Sequence, residues 1–203
     1  MSGAAESLGY RLTDPILLDL PEFIETKRLI LRPPRAGEGP LIHQAVAESL
    51  PELRQFLASL PWVATDPTPE SSESFCRTAQ SNFLARKDLP FFIFEKATMQ
   101  LLGSTGLHRT VWTTPKTEIG YWIRSSQARQ GFVSEAVNAL VELAFSALGM
   151  VRVELITDED NAASRQTALR CRFELEGILR HERRAPDGSL RNTCVYARLR
   201  PTP

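Results

Sequence analysis

Residues 125–134 read SSQARQGFVS and connect a predicted strand, 117–124, to an amphipathic pattern at 133–148. The apolar residues of that pattern recur at helical spacing, and Gly149 after it is a natural helix stop. The first turn of a helix has N–H groups without acceptors inside the helix, and the helix dipole adds partial positive charge there. Gly131 lets the backbone approach a ligand closely. This strand-to-helix junction therefore predicts an anion site that suits a diphosphate, with an ordinary turn as the alternative interpretation.

The rest of the chain predicts a mixed domain in which strands and helices are separated by short connections. Strands are predicted at 25–32, 91–95, 101–108, 117–124, 151–157, 173–181 and 193–199. Helices are predicted at 40–50, 52–60, 69–87, 133–148 and 162–171, with Pro51 as the interruption between the first two. Short turns between the second, third and fourth strands indicate an antiparallel meander. We therefore expect an α/β (α+β) fold with a twisted, mostly antiparallel sheet of about seven strands flanked by helices.

Composition and charge limit the classes of function. The chain of 203 residues is 42% hydrophobic and 24% charged, which suits a single folded domain. Lys and Arg together number 24, as do Asp and Glu, so no overall field attracts nucleic acid or an anionic membrane. From residue 161 onward nine arginines stand against four acids, which indicates a local basic face. That face is either solvated surface or a contact for a phosphorylated cofactor or an acidic partner.

The N-terminal segment and the cysteines predict the setting of the protein. Residues 1–22 are predicted to be a peripheral extension, and residues 23–203 a single domain. The extension lacks the pattern of a signal peptide, and no window has the ~20 apolar residues of a spanning helix. Cys76, Cys171 and Cys194 are widely spaced without a CxxC pair, which predicts reduced thiols and no metal site. We expect a soluble, cytoplasmic protein without nucleic-acid or membrane partners.

Four passages, taken together and in order, resemble a known family. They are LGSTGL at 102–107, EIGYWI at 118–123, QGFVSEA at 130–136, and NAAS at 161–164 leading to FELEG at 173–177. With matching spacings over about 25–199, the chain resembles the GNAT superfamily of acetyltransferases, in particular the ribosomal-protein-serine (Rim-type) N-terminal acetyltransferases. The resemblance implies the GNAT fold, acetyl-CoA as cosubstrate, and transfer of the acetyl group to an amine by direct attack.

The resemblance also implies how the loop at the strand-to-helix junction binds the cofactor. The loop pattern of the family is Gln or Arg, two residues, Gly, one residue, then Gly or Ala, and it aligns with 128–133. Ala128 and Val133 depart from that pattern, while the glycine is present. Backbone amides donate whatever the side chain, so the diphosphate is expected on the amides of Arg129, Gln130, Gly131, Phe132, Val133 and Ser134.

A second part of the implied cofactor site lies on the neighbouring strands. The strand that ends in Trp122, Ile123 and Arg124 is expected to splay from the next strand and to pair with the pantetheine arm. Asn161 matches an asparagine that the family uses to hold that arm. The residues alone also allow Trp122 as a core side chain and Asn161 as a helix N-cap, a role that is compatible with ligand binding.

The residues expected to carry the chemistry come from the same resemblance. Many family members donate a proton to the leaving thiolate from a tyrosine seven residues after the asparagine, but Ala168 stands there. The Rim-type pattern Asn-x-x-Ser makes Ser164 the expected donor, with a local helix hydrogen bond as the alternative. Glu118 and Glu182 are the candidates for the general base, and either is otherwise a solvated strand residue. The segment before Pro186 differs by one residue in length from the family pattern, so the second candidate position falls on either Glu182 or Arg183.

The remaining expectations concern the histidines and the acceptor. His43, His108 and His181 lack metal spacing and motif context, so they are interpreted as ordinary, with the strand of His108 reaching toward the acceptor groove. Acceptor choice is expected to lie in about 41–88 and in the last hairpin. The resemblance implies a protein N-terminal α-amine. A small-molecule amine and a non-catalytic acyl-CoA sensor remain alternatives, and a homodimer is allowed.

Overall fold

The computed structural model describes residues 14–58, 60–185 and 187–201. Within them the strands are β1 (Ile24–Glu25), β2 (Leu29–Arg32), β3 (Leu89–Glu95), β4 (Leu101–Val111), β5 (Lys116–Ile123), β6 (Arg152–Asp158), β7 (Glu174–Arg184) and β8 (Leu190–Leu199). The helices are α1 (Gly39–Leu57), α2 (Pro61–Ala64), α3 (Pro69–Leu84), α4 (Phe132–Ser146) and α5 (Ala162–Arg170). The eight strands form one sheet in the order β1-β2-β3-β4-β5-β6-β8-β7.

The sheet changes direction at one place only among the described strands. β5 and β6 are parallel, and every other neighbouring pair is antiparallel. The chain passes from β5 to β6 through α4, because parallel neighbours need a crossover connection. The structure confirms the predicted α+β fold with a mostly antiparallel sheet.

The sheet has one more strand than predicted because residues 25–32 are not a single strand. The N–H of Thr26 donates to the carbonyl oxygen of Leu29 at 2.9 Å, and the Thr26 hydroxyl oxygen accepts from the N–H of Leu29 at 3.0 Å. These bonds reverse the chain, so that β1 pairs antiparallel with β2. The prediction of a continuous strand is therefore wrong in its N-terminal half.

α1 continues through Pro51, where the sequence predicted a break between two helices. A proline in a helix interior costs about 3 kcal/mol because it removes an N–H and crowds the preceding turn. Ile42 and Val46 before the proline and Leu53 after it are all buried on one side of the helix. Their common burial offsets that cost, since a break at Pro51 would expose part of the apolar stripe. The short α2 lies between the helices predicted at 52–60 and 69–87, where the sequence predicts no helix.

Two apolar clusters cover the two faces of the sheet. α4 and α5 cover one face, called here the α4 face, where Leu140 contacts a cluster that includes Ile119. α1, α2 and α3 cover the other face, called the α1 face, where Val46 and Val63 lie in a cluster with Phe92. The sheet is therefore buried on both sides near its centre.

The side chains of β5 alternate between these two faces, as in any strand. Ile119, Tyr121 and Ile123 pack against the cluster of the α4 face, and Trp122 packs against that of the α1 face. By the same alternation Glu118 lies on the α1 face. This division decides which side of the sheet each candidate residue can serve.

The described part of the predicted N-terminal extension packs as an arm. Leu18 and Leu20 contact the cluster of the α4 face, and Nη2 of Arg86 donates to the carbonyl oxygen of Leu18 at 2.7 Å. Residues 1–13 lie outside the described part of the chain. The domain boundary at residue 22 stays a prediction.

Three further expectations concern membrane-spanning helices, metal sites and the cysteines. None of their helices has both the length and the apolar character needed to cross a bilayer. Their His, Cys, Asp and Glu side chains form no group of three or more that could hold a metal ion. Cys76, Cys171 and Cys194 are buried free thiols, and burial raises the pKa of all three, that of Cys76 to about 12. These thiols are therefore protonated at neutral pH.

Candidate functional site

The predicted anion site lies at the start of α4. Gly131 is the N-cap residue with a φ of 81°, in the left-handed region that glycine adopts without steric cost. Arg129 is also left-handed, with a φ of 64°. The N–H of Glu135 donates to the carbonyl oxygen of Gly131 at 3.1 Å, and no acceptor in the described part of the chain serves the N–H groups of 129–134. A concave set of free N–H groups at a helix N-terminus suits an anionic ligand.

An ion pair ties this helix start to β2. One carboxylate oxygen of Glu135 accepts from the Thr26 hydroxyl at 2.6 Å and from the N–H of Arg28 at 2.8 Å. The other oxygen accepts from Nε of Arg28 at 2.7 Å. Burial alone would raise the pKa of Glu135, but these hydrogen bonds and the Arg28 charge together lower it. The carboxylate is therefore held ionised in the first turn of α4.

The guanidinium of Arg28 lies against the predicted anion loop. It stacks over the ring of Phe132 at 4.4 Å and donates from Nη1 to the carbonyl oxygen of Gln130 at 2.9 Å. Its Nη2 lies 3.5 Å from where a Cβ would stand on Gly131. The sequence does not point to Arg28, because a cation about 100 positions from the loop gives no local signal. Glu135 gives an indirect signal in the sequence. An acidic side chain in the first turn of an anion-binding helix would repel the anion unless a cation lies nearby.

The Glu135 contacts make a pH-dependent contribution to stability. The folded-state pKa is lowered from 4.5, so the contribution is present above about pH 4.5 and is lost as the pH falls through the folded value. We expect Glu135→Gln to lower the free energy of unfolding by about 2 kcal/mol near pH 7, with the difference shrinking near pH 3.5. Thermal unfolding of both proteins at the two pH values checks this. An equal difference at both values would contradict the ionic role.

The strands next to this loop separate where the sequence predicted a splay. β5 and β6 pair only over 116–118 and 152–154, although both strands continue. The N–H of Arg124 donates to the carbonyl oxygen of Leu102 at 2.7 Å, which sets the phase of the β4–β5 ladder. Main-chain groups of alternate residues point away from β4. Tyr121 and Ile123, which lie beyond the last paired residue, therefore present unpaired N–H and C=O groups to the gap between β5 and β6.

Trp122 and Arg124, which the sequence also predicts to contact the cofactor, have side chains that pack within the protein. The Trp122 ring packs on Trp62 with ring centroids 6.1 Å apart, as the core interpretation expects. The Arg124 side chain is buried and Nη1 bonds a carboxylate oxygen of Glu48 at 2.7 Å. Hydrogen bonds from Ser126 are the largest cause of the lowered pKa of Glu48. The main-chain groups of Trp122 and Arg124 point toward β4, so among these three residues the predicted main-chain contact to the cofactor is best supported at Ile123.

The start of α5 brings two predicted residues together with a third that was not predicted. The side-chain oxygen of Asn161 accepts from the N–H of Ser164 at 3.0 Å, so Asn161 is the N-cap. The Ser164 hydroxyl lies 2.9 Å from the hydroxyl of Tyr121. This contact crosses from β5 to the helix after β6 and so spans the gap between the two strands. Burial raises the pKa of Tyr121 to about 12, so its hydroxyl is a protonated donor at neutral pH.

The two predicted base candidates are both engaged in contacts. Glu118 accepts from Nε of Arg109 at 2.8 Å and also bonds Nη2 of the same guanidinium. Glu182 accepts from the hydroxyl of Thr193 at 2.6 Å on the β7–β8 hairpin. Arg183, the alternative to Glu182, donates from Nε to the same Thr193 hydroxyl at 2.8 Å. Neither carboxylate is contradicted as a base, and both assignments stay predictions.

A narrow groove between the end of α1 and the β7–β8 hairpin carries part of the predicted basic face. Its lining includes Phe56, Asp158 and Arg191. Arg191 stacks over Phe56 at 5.8 Å and bonds the buried carboxylate of Asp158 at 3.4 Å. These contacts hold the hairpin against the helix and leave charged side chains at the α1 face of the sheet.

Comparison with known proteins gives a family match over most of the chain. The model of the acetyltransferase (GNAT) domain matches residues 28–174. The uncharacterized N-acetyltransferase YoaA of Bacillus subtilis (strain 168) is 31% identical over 132 residues, which are 65% of this chain and 74% of the relative. The ribosomal-protein-serine acetyltransferase of Escherichia coli (strain K12) is 30% identical over 133 residues, which are 64% of this chain and 73% of that one.

Solved structures share the fold at lower identity. The Microcin C7 self immunity acetyltransferase MccE, in complex with acetyl-CoA and AMP, has a TM-score of 0.81 and 22% identity over 89% of this chain and 98% of its own. RimL, a ribosomal L7/L12 alpha-N-protein acetyltransferase in complex with coenzyme A, has a TM-score of 0.80 and 23% identity over 88% of this chain and 98% of its own.

Proposed function

The chain belongs to the acetyltransferase (GNAT) domain family and is an acetyl-CoA-dependent N-acetyltransferase, and on this premise we propose that its acceptor is the α-amine of a protein N-terminus. The observation that carries the proposal is the resemblance to ribosomal-protein-serine acetyltransferases, whose pattern at Asn161 and Ser164 this chain keeps. An α-amine has a pKa near ~8 and a lysine near ~10.4, so an α-amine loses its proton more readily. That difference suits a site in which both glutamates are already paired.

The described residues fit acetyl-CoA. The diphosphate is proposed to lie on the free amides of 129–134, with Nη2 of Arg28 beside them. The pantetheine arm is proposed to pair with the unpaired main-chain groups of β5 at Tyr121 and Ile123. Asn161 is proposed to contact the arm with its amide nitrogen, since its oxygen already caps α5. Bound acetyl-CoA supplies an acetyl group activated as a thioester.

The two faces of the sheet are proposed to serve the two sides of the reaction. Ser164 lies with Tyr121 on the α4 face, where its hydroxyl can donate a proton to the departing sulfur. Glu118 lies on the α1 face, near the start of the gap, and Glu182 lies on the β7–β8 hairpin. The acceptor amine is therefore proposed to approach from the α1 face.

Acceptor choice is tested with matched peptides. Purified protein and acetyl-CoA are incubated with a serine-initiated peptide, the same peptide with a blocked α-amine, the same peptide with an added lysine, and a free polyamine. Release of thiol gives the rate, and mass spectrometry locates the acetyl group. We expect transfer to the free α-amine, no transfer to the blocked peptide, and little transfer to lysine.

Other outcomes identify the other candidates. Transfer to the polyamine alone would contradict the N-terminal proposal and support a small-molecule acceptor. Tight binding of the coenzyme without transfer to any amine would support a sensor on the same fold.

A further inference from the structure

His108 lies on the α1 face at the centre of the candidate site. It is the direct partner of Glu118 in the β4–β5 ladder, and paired residues share a face. Its Nδ1 lies 2.7 Å from a carboxylate oxygen of Asp88, the residue just before β3. A carboxylate only accepts hydrogen bonds, so this contact favours the neutral tautomer in which Nδ1 carries the proton and Nε2 has the lone pair. No described residue bonds Nε2, and the side chain is 33% exposed.

Two glycines form the surface on which this imidazole lies. A Cβ on Gly106 would stand 2.7 Å from Nε2 of His108, and a Cβ on Gly120 would stand 3.3 Å from its Cδ2. A side chain on Gly106 would therefore displace the ring. Gly120 is two residues beyond Glu118, the last residue of β5 that pairs with β6. The ring thus lies beside the point where the strands separate.

The surroundings leave Nε2 as the available basic atom on this face. The charged groups near it are Asp88 before β3, Arg109 on β4, Glu118 on β5, and Glu154 on β6, which is in register with Glu118. The guanidinium of Arg109 holds both carboxylate oxygens of Glu118. Ser164 lies on the opposite face of the sheet. The incoming amine and the departing sulfur are two different substituents of the reacting carbon, so the base and the acid can be two different residues, each within reach of its own atom.

We propose that His108, oriented by Asp88, is the base that takes the proton from the acceptor ammonium. That proton moves to Nε2, and the freed lone pair of the amine forms the new bond to the acetyl carbonyl carbon. The bond from this carbon to the sulfur of coenzyme A breaks, and the sulfur takes the hydroxyl proton of Ser164. The second nitrogen proton restores that hydroxyl, and Nε2 releases its proton to water. The inference rests on the proposed amine acceptor but not on that amine being a protein N-terminus.

Rescue by added imidazoles tests the proposal. We expect His108→Ala to lower kcat/KM by about 100-fold to 1000-fold. We expect added imidazoles to restore activity, with a rescue rate that rises with the basicity of the imidazole. Glu142→Ala on the exposed side of α4 is the control variant and keeps the wild-type rate. Unchanged kcat/KM in His108→Ala, or rescue that is independent of basicity, overturns the proposal.

Variants of the two glutamates separate the competing assignments. Glu118→Gln and Glu182→Gln are measured with the same acceptor, and a larger loss in either than in His108→Ala overturns the assignment to His108. A wild-type enzyme that acetylates only small amines removes the N-terminal proposal, and the rescue experiment is then run with that amine.

A second measurement needs neither cofactor nor acceptor. Long-range proton–nitrogen correlation spectra of the free protein report which ring nitrogen carries the proton. In the neutral ring of His108 we expect Nδ1 to be protonated and Nε2 unprotonated, and we expect Asp88→Asn to weaken this preference. A proton on Nε2 in the wild-type protein overturns the proposal. Asp88 is a positioning residue, so Asp88→Asn is expected to lower kcat by about 10-fold with KM nearly unchanged.

Discussion

Replacing Ser164 with alanine is expected to lower kcat by about 100-fold, with the Kd for coenzyme A changed by less than about twofold. The hydroxyl is the proposed donor to the departing sulfur, and it has one described side-chain contact, Tyr121. The cap of α5 survives the change, because the N–H of residue 164 and not its side chain bonds Asn161. Steady-state kinetics and calorimetry measure the two quantities. An unchanged kcat would remove Ser164 from the mechanism, and a large change in Kd would indicate a binding role instead.

Tyr121→Phe is the matched control for Ser164, because it keeps the ring and removes the hydroxyl bonded to Ser164. If that hydroxyl orients Ser164, the variant loses kcat by about 10-fold, and the loss disappears in the Ser164→Ala background. Independent losses that multiply in the double variant would contradict the coupling.

Arg28→Ala is expected to raise the Kd for coenzyme A by about 10-fold to 100-fold. Nη2 of the guanidinium faces the loop at Gly131, where the diphosphate is proposed to bind. The substitution also leaves the carboxylate of Glu135 without its cation in the first turn of α4. Both effects weaken anion binding. Calorimetry measures the Kd of the variant for coenzyme A and for dephospho-coenzyme A. An equal loss of affinity for both ligands places the contact at the diphosphate.

The double variant separates the two effects of Arg28. Glu135→Gln removes the negative charge, so Arg28→Ala with Glu135→Gln is expected to bind coenzyme A more tightly than Arg28→Ala alone. Thermal unfolding of each variant shows whether the fold is kept. Wild-type affinity in a folded Arg28→Ala protein would contradict a role for this cation in the site.

The local part of the site could be predicted from the sequence, because its signals are close together in the chain. The glycine of the loop, the amphipathic pattern of α4 and the capping residue Asn161 each act within a few residues. The break expected at Pro51 is wrong because the deciding interactions are not local in sequence. The burial that carries α1 through the proline comes from tertiary packing, which a local rule does not include.

Residues that act across the sheet could not be predicted in the same way. Arg28 reaches the loop from the turn before β2, Tyr121 reaches Ser164 across the gap, and Asp88 reaches His108 from the loop before β3. Each contact depends on the register of strands that are distant in sequence. His108 was interpreted as an ordinary residue because a lone histidine has no motif. Its paired carboxylate and the glycines beneath it become evident only once β3, β4 and β5 are aligned.

The short parallel pairing of β5 and β6 leaves room between the strands for the proposed cofactor contact. β5 continues for five residues and β6 for four beyond their last paired residues, Glu118 and Glu154. A ligand that binds only the folded chain stabilises it by about 2.7 kcal/mol at a concentration 100 times its Kd. With the pantetheine arm bound to β5 as proposed, we expect acetyl-CoA to protect the folded enzyme against unfolding as well as to supply the acetyl group.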